Sequence, residues 1–147
     1  MRRVLNWVLI PIFLVLCFAW GNSLISGEES ANISGGLYAY LVELFPVFAN
    51  IPRYLFRKLA HFTEFAALGF FTAWYFVWRG RQRLDRVYIP MSLCMLAALV
   101  DETIQTRTPL RTPSVTDVWI DSAGAAVGIV LFLLGYTVVN RIKNKKR

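Results

Sequence analysis

This chain has little that can carry polar chemistry. Its 147 residues include one histidine, two cysteines and nine carboxylates. The cysteines, Cys17 and Cys94, each sit in the middle of an apolar run, so they read as small buried hydrophobes, not a disulfide or a metal pair. With His61 as the lone imidazole and no compact ligand spacing, no metal motif is assigned and the cofactor is left open. Repeats of 20 to 50 residues and low-complexity tracts are missing as well, which excludes solenoids and arrays.

What is present in quantity is hydrocarbon. A hydrophobic content of 56% places the chain among membrane proteins and predicts a single all-α domain over residues 1–147. The net charge of +7 does not point to nucleic acid, because the basic residues cluster at the ends of the apolar runs. Four spans are expected in a bundle: Val4 to about Trp20, a retained helix and not a cleaved leader; Phe62–Trp78, extended back through Lys58; Val87 to about Gln105; and Val118–Val139. Residues 21–36 are rich in Gly and Ser and read as a loop. Leu37–Ile51, interrupted by Glu43 and Pro46, reads as a short interfacial or re-entrant segment.

Eleven of the sixteen Lys and Arg residues fall in the start, the loop at 79–86 and the tail. In a four-span arrangement these share one side, which makes that side and both termini cytoplasmic in a multi-pass cell-membrane protein. The other five, Arg53, Arg57, Lys58, Arg107 and Arg111, lie outward and close to the polar motifs.

Three motifs stand out. Lys58, His61 and Glu64 cover an arc of roughly 120° on one helix face. Asp101, Glu102 and Gln105 can also share a face, and they belong to a helix whose apolar run, Val87–Val100, has only 14 residues. To span about 30 Å that helix must take its carboxylates into the membrane, where ionisable groups are expensive and mark working sites. Ser114, Asp117 and Asp121 follow, the first two suited to a helix N-terminus. On the stripe below Asp121 lie Gly124 and Gly128, a Gly-x-x-x-Gly pair permitting close helix approach; Ile129 is placed toward lipid.

Lys58-x-x-His61-Phe, Glu102-x-x-Gln105, Arg111-x-x-Ser114-x-x-Asp117 and Asp121-x-x-Gly124-Ala-x-x-Gly128 together resemble the VanZ-like family, over roughly residues 5–140. Two positions depart from its pattern: Leu110 stands in a loop that commonly reads Pro-Gly-Arg, and Asp121 where relatives often carry Asn. The resemblance implies an envelope protein associated with resistance to glycopeptides such as teicoplanin.

Three functions fit these residues. In the first, an outer cluster roofed by Arg107, Arg111 and residues 37–51 binds a lipoglycopeptide, an envelope lipid or a lipid-linked precursor. In the second, a membrane enzyme acts on a lipid-linked substrate, with His61, Glu64 and Glu102 as catalytic candidates and Glu102, Asp117 and Asp121 available to a hard cation. In the third, the charges only staple helices together. On any of them, Lys58, His61, Glu64, Asp101, Glu102, Gln105, Arg111, Ser114, Asp117 and Asp121 are expected to turn inward to one shared polar pocket, with His61 near a carboxylate.

Overall fold

The computed structural model describes residues 2–80, 82 and 84–145; Arg81, Arg83, Lys146 and Arg147 of the basic segments lie outside them. The described residues form five α-helices: α1 (Arg2–Leu24), α2 (Gly27–Leu44), α3 (Arg53–Trp78), α4 (Asp85–Gln105) and α5 (Val115–Lys145). A 3-10 turn, Pro46–Asn50, joins α2 to α3. No strand occurs among the described residues.

Helix boundaries follow local chemistry. Residues 21–36 do not form the expected loop. Gly21–Leu24 complete α1, and Ser26 then caps α2, its hydroxyl accepting the Glu29 N–H at 3.2 Å. Glu28 and Glu29 occupy the first turn of α2, where carboxylates favour the positive end of the helix dipole. The helix continues through Gly35 and Gly36 despite their poor helix propensity. Pro46 ends α2, and the Tyr38 hydroxyl donates to the Phe48 and Ile51 carbonyls at 3.3 and 2.9 Å, folding the 3-10 turn back on the helix. The expected interfacial segment is thus the end of a helix plus one tight turn.

The buried interior combines Phe65 and Leu68 of α3, Cys94, Ala97 and Ala98 of α4, and Ala125 of α5, with Ile12, Val15, Leu16 and Trp20 of α1 against it. The indole of Trp20 donates to the Ala97 carbonyl at 3.2 Å. Helices α3 and α5 meet backbone to backbone. A Cβ on Gly69 would lie 2.9 Å from the Ala125 carbonyl carbon, and one on Gly128 would lie 2.7 Å from that of Ala66. Gly124 similarly faces the Phe62 backbone. The inward placement of Gly124 and Gly128 therefore holds, but Ile129 is buried too. Because α5 packs against both α3 and α4, its buried arc is wider than a single glycine stripe, and Val127 and Val130 are the exposed neighbours. Cys94 is buried, whereas Cys17 is exposed on the outer face of α1, contrary to its reading as a core residue.

The exterior is apolar: Phe13, Leu14 and Phe18 of α1, Leu96 and Leu99 of α4, and Leu131 and Leu134 of α5 are all exposed. The interior holds Ser23, Asp101, Glu102, Gln105, Asp121 and Ser122. A surface with so much contiguous hydrocarbon is stable only against lipid. α1, α4 and α5 are long and apolar enough to cross a membrane. α3 is long enough at 26 residues, but Arg53, Arg57, Lys58, His61 and Glu64 make its first turns polar.

A polar pocket at one end of the bundle

The polar motifs converge because α3 begins, α4 ends and α5 begins at the same end of the bundle, beside the end of α1. Between them lies a pocket of about 210 Å³ whose lining includes Arg57, Lys58, His61, Glu102, Arg111 and Asp121. Its rim is Tyr54, Leu110 and Thr112. Arg107 and residues 37–51, expected as a roof, do not line it. Glu64 also departs from expectation. It lines an apolar groove with Leu14, Phe18, Phe48 and Leu59. At i+3 it stands about 60° around the helix from His61, on the flank away from Lys58, and that offset carries it past the pocket wall.

The carboxylates divide into those with partners and those without. Asp101, fully buried, accepts the Ser23 hydroxyl on Oδ1 and the Gln105 amide on Oδ2, both at 2.8 Å. Gln105 Nε2 also donates to Ser23 Oγ at 3.2 Å, closing a three-residue network between α1 and α4. Glu102 Oε2 accepts the Ser114 N–H at 2.9 Å and so ties the end of α4 to the start of α5. The Ser114 hydroxyl accepts the Thr116 N–H at 3.1 Å, fulfilling the expected capping role. Asp117, in the first turn of α5, is paired with Lys58 of α3. In contrast, Asp121 Oδ1, Glu64 Oε2 and Ser122 Oγ are buried without a hydrogen-bond partner among the described residues. Asp121 lies beside His61 and Asp101, with ligand-type atoms of all three residues within 4.8 Å of one another. His61 is thus within the reach of one bridging water from carboxylates on both α4 and α5.

The loop after α4 is stitched to the end of α1. Arg111 donates from Nε to the Ile25 carbonyl at 3.2 Å and from its terminal nitrogen to the Asn22 carbonyl. A cation there satisfies carbonyls that the end of α1 leaves open. Burial, followed by the nearby charge of Arg57, draws the Arg111 pKa below the ordinary guanidinium value. Thr108 Oγ1 donates to the Ser23 carbonyl at 2.8 Å, and Gly27 N–H donates to the Pro109 carbonyl at 2.9 Å. Gly27 has no space for a Cβ, which would strike the Leu110 backbone. Asn22, Ser23 and Thr108 carry no sequence signal; only the fold brings them to this end of the bundle.

Leu110 has φ of +58°, in the left-handed region. A side chain costs roughly 1–2 kcal/mol there, and glycine gives back about half to one in chain entropy. Leu110→Gly is therefore expected to raise stability by up to about 1 kcal/mol, visible as a higher midpoint of thermal unfolding in detergent. A lower midpoint would mean that the leucine packing at the rim outweighs its backbone strain.

An apolar helical exterior around buried polar side chains defines an integral membrane protein. The chain belongs to the VanZ/LLP1 family, whose match covers residues 8–136. No curated protein and no solved structure matches it.

Proposed function

We propose that the protein is a four-span envelope protein whose pocket holds the anionic head group of an amphiphile, an envelope lipid or lipid-linked precursor, or the polar end of a lipoglycopeptide. The observation that carries this reading is the placement of Arg57, Lys58, His61 and Arg111 on a single pocket at the end of a lipid-facing bundle. Guanidinium groups suit phosphate and carboxylate geometry. At about 210 Å³ the pocket matches a head group, not a whole glycopeptide. On this reading α3 is the fourth span, its polar first turns sheltered by the pocket. The basic start, the 79–86 loop and the tail lie in the cytoplasm, and the pocket faces outward. Association with glycopeptide resistance would follow from engaging the antibiotic's lipid anchor or its lipid-linked target.

A specific observation favours a second reading, an enzyme acting on the bound head group. His61 stands between carboxylates of two other helices, an arrangement suited to proton transfer. A purely structural role accounts for the partnered Asp101, Glu102 and Asp117 but leaves Asp121 and Glu64 unexplained.

The head-group reading is tested by native mass spectrometry of the purified protein with a polyprenyl phosphate and the matching uncharged polyprenol. The phosphate form is expected to be retained at least tenfold more strongly. Arg57→Gln combined with Lys58→Gln should remove most of that preference. Equal retention of the two lipids by the unaltered protein would overturn the reading.

A further inference from the structure

We propose that His61, Asp101 and Asp121 form a binding site for a first-row divalent cation, zinc above all. The inference goes beyond the head-group reading and does not depend on it. Three helices supply the ligands, α3, α4 and α5, and the candidate atoms lie within 4.8 Å of one another. A tetrahedral ion with ligands at about 2.0–2.2 Å sets them roughly 3.4 Å apart, so closure needs shifts of about 1 Å.

Asp121 is the observation that points to a ligand. Its side chain is 1% exposed and Oδ1 has no hydrogen-bond partner, although it faces a histidine and another carboxylate. A buried carboxyl oxygen left in that condition is costly, and a cation would satisfy it. Of the side-chain cations lining the pocket, Lys58 pairs with Asp117 and Arg111 donates to the carbonyls of Asn22 and Ile25, and neither hydrogen-bonds Asp121.

The other two ligands are prepared in different ways. Asp101 is oriented by Ser23 and Gln105, one donor on each oxygen, which leaves a lone pair on each for a metal. Such outer hydrogen bonds are what fix a ligating carboxylate. His61 makes no hydrogen bond to a described residue, so a ring nitrogen is available. One imidazole and two carboxylates select against magnesium and calcium, which prefer all-oxygen shells, and favour zinc or manganese. His61 and Asp121 also line the pocket, so a fourth position would open to water or to an anionic oxygen.

The test uses full-length protein purified without a polyhistidine tag and dialysed against micromolar zinc, with no lipid ligand added. Stoichiometric zinc is expected, with a rise in the thermal midpoint. Asp121→Asn and His61→Gln should each weaken zinc binding at least tenfold and lose that rise. Cys17→Ser with Cys94→Ala should bind zinc as the unaltered protein does. A tenfold excess of magnesium should not displace the ion. Absence of stoichiometric zinc, undiminished binding by Asp121→Asn and His61→Gln, loss in the cysteine variant, or displacement by magnesium would each overturn the assignment. Asp121 has no partner to lose, so unfolding without metal should confirm that Asp121→Asn folds. If it does not fold, the comparison rests on His61→Gln, whose side chain retains bulk and polarity. Because the probe is zinc alone, failure here leaves the polyprenyl phosphate result standing, and the reverse also holds.

Discussion

Gly128→Leu is expected to leave little folded protein in the membrane. A Cβ at this position already lies 2.7 Å from the Ala66 carbonyl carbon and 2.9 Å from the Phe70 nitrogen. These are backbone atoms of α3, so no rotamer change relieves the clash. The helices must separate, and the adjoining contacts at Gly124 and Gly69 separate with them. Overpacking typically costs about 1–3 kcal/mol and more where backbone must move, a large share of a marginal stability. Val130→Leu, on the exposed face of the same helix, should be silent. The measurement is the yield of monodisperse protein after mild detergent extraction, followed by thermal unfolding. Equal losses at both positions would contradict the α3–α5 contact.

Asp101→Ala and Asp121→Asn are expected to separate stability from function. Removing the Asp101 carboxylate leaves the Ser23 hydroxyl and the Gln105 amide short of their buried acceptor. Each group left unpaired costs roughly 1–3 kcal/mol, so Asp101→Ala should lower the unfolding midpoint severely. Asp121 has no such dependants on Oδ1, and Asn keeps its shape while removing a buried acid. Asp121→Asn is therefore expected to change stability by less than about 1 kcal/mol, or to raise it. Retention of a polyprenyl phosphate in native mass spectrometry would then show whether that folded variant has lost binding. Equal destabilisation by both substitutions would make Asp121 a structural residue.

The helices carrying the motifs were legible in the sequence because hydrophobic runs and breakers are local signals. The expected span Val87 to about Gln105 matches α4 closely, whereas Val118–Val139 falls short of α5 at both ends. Residues 21–36 were misread because composition suggested a loop while one hydroxyl, that of Ser26, set a helix start. Ile129 was misplaced since a glycine stripe marks only the contact with α3, and nothing local reveals that α4 covers the adjoining arc. Glu64 shows the limit of face arguments: an i, i+3 spacing put it beside His61, but the pocket wall falls between them. Ser23 could not have been found at all, lying 78 residues from the carboxylate it serves.

The partition of partners along the chain has a consequence for synthesis. Asp101 meets its donors as soon as α4 enters the membrane, since Ser23 is already in place and Gln105 is on the same helix. Glu102 and Lys58 must wait, because Ser114 and Asp117 emerge later, at the start of α5. Since chains are made from the N-terminus, a ribosome paused before α5 would hold a four-helix intermediate in which Glu102 and Lys58 lack their native partners. Those two can neutralise each other until α5 arrives and takes both. The exchange of that provisional pair for the native ones would then be the step that closes the pocket.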